Sequence, residues 1–312
     1  MNIFSFAINT KIKFLSFRKP AFILSAALII SSVLVYSLNG LNFGIDFRGG
    51  TLIEIETAEA EDLGNIRNSL NSLNLGDVQV QEFGSPKNVL IRVEQQTGGE
   101  KSQQNVVNIV KTELNSSLNS DVNFRRTEVV GPKVSSELIK AGVTAIVVAV
   151  FAMLIYIWFR FEWQFSLGAV IALIHDILLT LGIFSILQLE FNLSIIAALL
   201  TIVGYSMNDT VVVYDRVREN IRKHRKKDIL DLLNISINET LSRTIMTSVT
   251  TLLALLSLYI FGGSVIKGFT FAMIWGVLVG TYSSIFIAAP LLNYLEVKRD
   301  WSTSGAVEST QK

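Results

Sequence analysis

Residues 191–213 read FNLSIIAALLTIVGYSMNDTVVV, a stretch that is long enough to cross a bilayer and carries a single charge, Asp209. A carboxylate at membrane depth costs roughly 2.5–3.5 kcal/mol on insertion scales, so it is retained for a partner, a water path or a function. The next long apolar stretch begins directly after Arg243. An acid and a base on neighbouring spans indicate ion or proton handling.

The composition is that of a membrane protein, because 50% of the residues are hydrophobic and 17% are charged. A net charge of +1 gives no indication of a nucleic-acid partner. The sequence contains no cysteine and two histidines, and it has neither a His-Glu-x-x-His stretch nor a nucleotide-binding P-loop. We therefore expect no metal, no cofactor and no enzymatic activity.

Six apolar segments have the ~20 residues that a helix needs to cross ~30 Å of hydrocarbon, and spans in lipid must be helices or closed barrels. We predict a polytopic α-helical membrane protein with six transmembrane helices, at residues 20–38, about 138–160, 163–189, 191–214, 241–262 and 267–295. The first segment is longer than the core of a signal peptide and lacks a cleavage site, so we interpret it as a retained anchor. Residues 138–296 then form a five-helix transmembrane domain.

Basic residues predict the orientation of these spans. They are concentrated in the N-terminal residues 1–19, the loop 215–243 and the tail 297–312, whereas the alternate short loops hold one base, Lys267. We expect both termini and this loop to be cytoplasmic. The basic run 222–227 could also bind nucleic acid or an acidic partner, but retention of positive charge on the inner side is the simpler interpretation.

Residues 39–137 are the one large segment outside the membrane, and we predict a periplasmic α+β domain there. Alternating apolar residues predict strands at 51–56, 78–83, 89–93 and 122–130, and helical spacing predicts helices at 59–73 and 106–118. The order βαββαβ is typical of a ferredoxin-like domain between the first and second transmembrane helices. No catalytic constellation is visible in this segment.

Four motifs lie at the exit of the first span, at the entry to the second, within and after the fourth, and at the entry to the fifth. They are FGIDFRGG at 43–50, GPKVSSEL at 131–138, VGYSMNDT with VYDRVREN at 203–210 and 213–220, and NETLSRT at 238–244. Over about residues 15–296 the chain resembles the SecD/SecF family, which belongs to the resistance-nodulation-division superfamily of proton-driven pumps. Each motif alone is weak, but four in this order make the resemblance specific.

The resemblance implies a function in protein export. Members of the family use the proton-motive force to complete the passage of preproteins through the SecYEG channel after the ATP-driven motor SecA has acted. It implies a bacterial inner-membrane location, a SecD partner, and contacts with SecYEG and the translocating preprotein, with YajC, YidC and SecA as further candidates. The positions matching Asp209 and Arg243 belong to the proton path of the family, so a proton gradient is the expected energy source.

Other polar residues at membrane depth are candidates for the same path. His175 and Asp176 lie near the middle of the third span, and because adjacent helical positions do not share a face we expect only one of them to face a polar path. Asn208 and Thr210 flank Asp209 and could either join the path or hold Asp209 in a purely structural contact. Arg243 could instead extend its side chain to the cytoplasmic headgroups.

The motif at the exit of the first span is interpreted as a structural or coupling turn, comprising Gly44, Asp46, Arg48, Gly49 and Gly50. Gly49 and Gly50 permit unusual backbone angles. Asp46 and Arg48 could pair with each other across the turn or with a partner subunit. An anion-binding nest is the other interpretation of this motif.

Two other function classes remain open from the sequence. One is a half-subunit of another proton-driven exporter of the superfamily, acting on lipids or small molecules. The other is an intramembrane aspartyl protease that would use Asp209 and Asp215. That chemistry needs two facing carboxylates on different helices, whereas these two lie on one segment, and the Gly-x-Gly-Asp pattern is absent.

Overall fold

The structure is a computed structural model that describes residues 10–96, 100–118, 122–295 and 297. In chain order its helices and strands are α1 (Arg18–Asn39), β1 (Asn42–Phe43), α2 (Ile45–Arg48), β2 (Gly50–Thr57), α3 (Leu63–Asn71), β3 (Val78–Phe83), β4 (Ser85–Val93), α4 (Glu100–Ser117), β5 (Val122–Val130), α5 (Pro132–Arg160), α6 (Trp163–Leu187), β6 (Glu190–Phe191), α7 (Leu193–Lys223), α8 (Ile229–Phe261), α9 (Lys267–Ser283) and α10 (Ala289–Tyr294). A 3₁₀ turn, Phe14–Phe17, precedes α1, and a π-helical turn, Ser284–Ala288, joins α9 to α10.

Six described helices are long and apolar enough to cross a membrane, which is the number predicted from the sequence. The apolar windows of α6, α7 and the last span, residues 267–294, are more than half buried, whereas those of α1, α5 and α8 are 17% buried or less. The three buried helices therefore form the centre of the bundle. The apolar surfaces of α1, α5 and α8 are left to contact lipid or another membrane protein.

α7 and α8 are longer than a membrane span requires, and their connected ends lie on the side opposite the α+β domain. These helices contain 31 and 33 residues, which is ~46 and ~50 Å at 1.5 Å per residue. The segment predicted as the loop 215–243 is therefore a helical hairpin with its turn at residues 224–228, and the predicted ends at 214 and 241 lie inside helices. The helices continue because apolar residues keep a helical period there, with buried Val217, Ile221, Leu232, Leu233 and Ile237.

The N-terminal segment packs along this helical hairpin before it enters the membrane. The backbone N–H of Ile12 donates to Asn238 Oδ1 at 3.0 Å, and Asn238 Nδ2 donates back to the carbonyl of Ile12 at 2.8 Å. The N–H of Leu15 donates to Asn234 Oδ1 at 3.0 Å. The start of α1 is thereby held against α8. Residues 1–9, 296 and 298–312, which include most of the two predicted terminal segments, lie outside the described residues.

A four-stranded antiparallel sheet of order β3-β4-β2-β5 forms the body of the α+β domain. One face of the sheet is covered by α3 and α4 around a core that includes Ile53, Ile91 and Leu114. The other face turns toward the membrane helices, where Leu52 and Leu90 pack with Ile45 of α2. A cavity of about 780 Å³ lies between this second face and the nearby ends of α6 to α9.

A close contact between α1 and α6 at Gly182 gives a stability prediction. A Cβ atom at this position would lie 2.0 Å from Ser32 Oγ and 3.0 Å from Ser32 Cα. Because the backbone of α1 would have to move, we expect Gly182→Ala to lower the unfolding free energy by about 1–3 kcal/mol. Thermal unfolding in detergent measures this, with Gly204→Ala as the matched control because no atom lies within 4 Å of its added methyl group. Equal stability of the two variants would contradict the packing.

Candidate functional site

Asp209 lies in the interior of the helix bundle and is 7% exposed. Thr244 Oγ1 of α8 donates to Asp209 Oδ1 at 2.6 Å, and Ser284 Oγ, the first residue of the π-helical turn, donates to Oδ2 at 2.5 Å. Hydrogen bonds to both oxygens offset part of the desolvation cost of this carboxyl group. Asp209 therefore joins three elements of the membrane domain: α7, α8 and the α9–α10 junction.

Arg243 lies at the depth predicted for it but does not bond to Asp209. The contact between Thr244 and Asp209 places α8 and α7 side by side at this level, and Arg243 is the preceding residue. Because adjacent helical positions point in different directions, its side chain is exposed and lines a cleft with Arg216, Glu239 and other charged groups of the helical hairpin. Among the described residues Asp209 is hydrogen-bonded to two hydroxyls, and Arg243 forms no ion pair with it.

His175 and Asp176 are both buried, at 2% and 1% exposure. His175 Nδ1 lies 2.9 Å from Asp176 Oδ1, and Asp176 Oδ2 accepts hydrogen bonds from Ser206 Oγ at 2.6 Å and Ser283 Oγ at 2.8 Å. Both side chains therefore have polar contacts in the bundle interior, whereas the sequence led us to expect only one of them to face a polar path. Both side chains lead into the bundle, and the exposed face of α6 is formed by other residues such as Ile171 and Ile174.

The two buried carboxyl groups are bonded to adjacent serines. Ser283 ends α9 and bonds to Asp176, while Ser284 opens the π-helical turn and bonds to Asp209. Ser206, which also bonds to Asp176, lies three residues before Asp209 on α7. The sequence reasoning missed Ser206, Ser283 and Ser284. The hydroxyl run at residues 281–284 inside an apolar span was the signal that could have found them.

The remaining membrane candidates have different surroundings. Asn208 is exposed, whereas Thr210 is 2% exposed. On α8, Ser248 Oγ lies 2.7 Å from Thr281 Oγ1 of α9, which extends the polar contacts by one more helical turn. Thr247 and Thr250 instead donate to carbonyls of their own helix. The structure therefore brings Asp209, Asp176 and His175 into one polar interior and leaves Asn208 and Arg243 on the outside.

The glycine-containing motif after α1 holds the start of α7. Asp46 Oδ2 accepts a hydrogen bond from the backbone N–H of Leu193 at 2.8 Å, so its carboxylate lies at the N-terminus of α7, where negative charge is stabilising. The Gly44 N–H donates to the carbonyl of Phe191 at 2.9 Å, and β1 pairs in parallel with β6. Asp46 thus caps a helix, rather than pairing with Arg48, whose side chain is exposed.

The two glycines at the end of this motif meet a conformational requirement. Gly49 has φ +73° and Gly50 has φ +115°, both in the region that favours glycine. A Cβ atom at Gly50 would lie 2.4 Å from the carbonyl oxygen of Val93, so the chain turns against β4 at this point. These residues direct the chain from the membrane into β2.

An ion pair connects the α+β domain directly to the loop before α7. Arg92 Nη2 of β4 lies 3.1 Å from Glu190 Oε2 of β6, and both side chains are at least three-quarters buried. Glu190 is followed three residues later by Leu193, whose N–H is capped by Asp46. The domain and the N-terminus of α7 are therefore mechanically connected, and Asp209 lies ~24 Å further along the same helix.

Comparison with protein families shows which family the chain belongs to. The family model described as "Protein export membrane protein SecD/SecF, C-terminal" matches residues 109–298. The chain belongs to the SecD/SecF family. A second model, the "SecD/SecF GG Motif", matches residues 38–61, which contain the turn formed by Gly49 and Gly50.

Curated relatives in this family cover nearly all of the chain. It is 46% identical over 282 residues to the protein translocase subunit SecF of Rickettsia rickettsii, covering 89% of this chain and 90% of that protein. It is also 46% identical over 304 residues to the protein translocase subunit SecF of Rhodobacter capsulatus, covering 94% and 91%.

Solved structures show the same membrane fold within a longer protein. The crystal structure of SecDF from Thermus thermophilus, a translocon-associated membrane protein, superposes with a TM-score of 0.79 at 35% identity. SecDF in its super-membrane-facing form gives a TM-score of 0.64 at 35% identity. Each match covers 90% of this chain, which spans 38% of the SecDF chain.

Proposed function

We propose that this chain is the SecF-type subunit of a Sec translocase accessory complex that uses the proton-motive force to complete preprotein translocation. The family and the curated relatives support the role of an accessory subunit. The observation that supports proton coupling is the position of Asp209, a buried carboxyl group that is hydrogen-bonded to hydroxyls from two neighbouring elements. Ionisable residues inside a membrane bundle mark ion and proton pathways.

The side chains around Asp209 are suited to binding and releasing a proton. Burial favours a neutral carboxyl group, whereas the hydroxyl donors Thr244 and Ser284 favour a carboxylate. A shift of α8 or of the α9–α10 junction would lengthen the hydrogen bonds that favour the carboxylate. The same shift would change how deeply the carboxyl group is buried. Proton uptake from one side of the membrane and release to the other would then be coupled to helix movement.

The surface of α7 and α8 indicates where a partner binds. Asn208, Thr247, Thr250 and Arg243 are exposed polar residues within or bordering the spans, and no atom lies within 4 Å of a Cβ built at Gly204. Polar and charged groups facing lipid are costly, so this face is suited to contact with another polytopic subunit. In the related SecDF chain the additional length is part of the same polypeptide. We propose that a separate SecD supplies the matching half here.

Purification tests the partner. Extraction in mild detergent with a tag on this chain should recover SecD in an about equal amount, because the polar face of α7 and α8 is covered only in the complex. Substituting the exposed Gly204 by Trp should reduce the recovered SecD at least about tenfold by blocking close approach. Leu256→Trp, at an exposed position on the side of α8 away from Arg243, Thr247 and Thr250, should not. A chain that is active in translocation when purified alone would contradict this.

The orientation follows from the proposed role and the charge distribution. The α+β domain, which we propose to be a ferredoxin-like fold, lies in the periplasm, and the α7–α8 helical hairpin with its basic turn lies in the cytoplasm of a bacterium, as do both termini. The inner membrane is the proposed location. SecYEG and the translocating preprotein are the proposed functional contacts, with YajC, YidC and SecA as further candidates. Chemical energy then comes from the proton gradient, with no cofactor and no enzymatic step.

The alternative functions have less support. A lipid or small-molecule exporter is disfavoured because the curated relatives are translocase subunits. The aspartyl protease hypothesis required Asp209 and Asp215 to act together. Asp215 forms an ion pair with Arg160 at 2.8 Å outside the apolar core, and both side chains are more than 40% exposed, so it does not face Asp209.

A further inference from the structure

Ser283 and Ser284 each have two hydrogen-bond acceptors within reach. Ser283 Oγ lies 2.8 Å from Asp176 Oδ2 and 3.1 Å from the carbonyl oxygen of Gly280. Ser284 Oγ lies 2.5 Å from Asp209 Oδ2 and 3.0 Å from the carbonyl oxygen of Thr281. A hydroxyl group has one proton to donate, so each serine donates either to its carboxyl group or to its own helix.

The choice between these acceptors depends on the carboxyl group. A carboxylate accepts only, so it takes the serine proton. A protonated carboxyl group becomes a donor, and its O–H then points to the serine Oγ, which turns its own proton to the backbone carbonyl. This exchange leaves no buried donor without an acceptor.

The helix changes type at these two residues. α9 ends at Ser283, and the N–H of Ser284 donates to the carbonyl of Gly280 four residues earlier. The N–H of Ala289 donates to the carbonyl of Ser284 five residues earlier, which is a π-helical bond. A single π-helical turn inside an α-helix occurs frequently at functional sites. When the hydroxyl of Ser283 or Ser284 donates to the carbonyl of Gly280 or Thr281, it competes for that carbonyl with the backbone N–H groups of the last α-helical turn.

We propose that Ser283 and Ser284 are positioning residues that couple Asp176 to Asp209, and that the π-helical turn they open shifts when either carboxyl group takes up a proton. This inference rests on the proposed proton-driven function. It adds Asp176 as a second carboxyl group whose protonation changes the hydrogen bonds of the same turn. The shift moves α10, because α10 follows the π-helical turn directly.

Ionisable and hydroxyl side chains from α1, α6, α7, α8 and α9 face this unit, and Tyr214 Oη of α7 donates to the carbonyl of Ala288 in the π-helical turn at 3.0 Å. His175 of α6 contacts Asp176, and Tyr282 of α9 stacks on His175 with ring centroids 6.1 Å apart. Tyr205 Oη of α7 lies 3.5 Å from Ser248 Oγ of α8, and the exposed Arg243 of α8 directly precedes Thr244, which bonds to Asp209. From α1, Ser25 Oγ lies 3.0 Å from Tyr282 Oη.

Labelled variants of the complex with SecD test the coupling. The chain has no cysteine, so Phe159→Cys and Tyr294→Cys introduce a unique pair of spin labels at the ends of α5 and α10. We expect the distance between the labels to change between mildly acidic and alkaline pH. We expect Ser283→Ala/Ser284→Ala to remove this change and to slow proton-gradient-dependent preprotein release about tenfold, since each lost bond is one to an ionised group.

A matched control separates coupling from folding. Ser166→Ala removes a hydroxyl of α6 that is 4% exposed and donates only to the carbonyl of Leu154 in the described contacts. It should retain both the pH-dependent distance and the rate of release. Ser283→Thr/Ser284→Thr, which keeps the hydroxyls, should restore part of the pH response relative to the alanine pair.

The outcomes distinguish this inference from the function on which it rests. A full pH-dependent distance change in the double alanine variant, with release at the wild-type rate, would overturn the coupling role of the serines. If Asp209→Asn loses release in the same assay, the proton-driven function stands while the serine coupling falls. If Asp209→Asn retains proton-dependent release, the proposed function itself falls.

Discussion

Asp209→Asn is expected to abolish proton-gradient-dependent release of a trapped preprotein from membrane vesicles. The amide has nearly the same size as the carboxyl group and can still accept a hydrogen bond from Thr244 or Ser284, but it cannot change its charge. We expect the protein to be made at normal levels and still to bind SecD. The loss should be at least about a hundredfold, because a step that requires protonation of this group cannot occur.

Two control variants define this result. Asp231→Asn, at an exposed position in the first turn of α8, should release preprotein normally. Arg243→Lys retains the positive charge but loses the planar guanidinium, so partial activity is expected. Wild-type release by Asp209→Asn at normal protein levels would reduce Asp209 to a structural polar contact between α7, α8 and the α9–α10 junction.

Removal of the α+β domain is expected to abolish late-stage preprotein release while leaving the membrane domain inserted. The structure supplies the deletion ends, because Gly50 and Val130 are paired across β2 and β5. Paired residues on antiparallel strands have Cα atoms about 5 Å apart, so a short Gly-Ser linker can replace residues 51–129 without strain. The deletion removes the Arg92–Glu190 ion pair but keeps the Asp46 cap on α7.

The physical reason for the expected loss is mechanical connection. The domain holds the loop before α7 through Arg92, and α7 carries Asp209, so domain movement and the carboxyl site share one helix. The same linker inserted after Ala60, at an exposed turn of the intact domain, should leave release unchanged. Normal export by the deletion variant would show that the membrane helices act without the domain.

The sequence determined the membrane architecture because hydrophobic length is a local property. Six apolar runs predicted six spans, and the structure contains six suitable helices. A single carboxyl group within an apolar run, Asp209, could be recognised without knowledge of its neighbours.

The tertiary structure decided which side chains meet. One residue along a helix rotates a side chain by ~100°, so the depth of Arg243 was predictable but its direction was not. The partners of Asp209 and Asp176 come from α7, α8 and the α9–α10 junction, and no spacing within one helix specifies how neighbouring helices are rotated. The ends of α7 and α8 beyond the membrane depend likewise on packing between them, because hydropathy falls at the membrane surface while the helices continue.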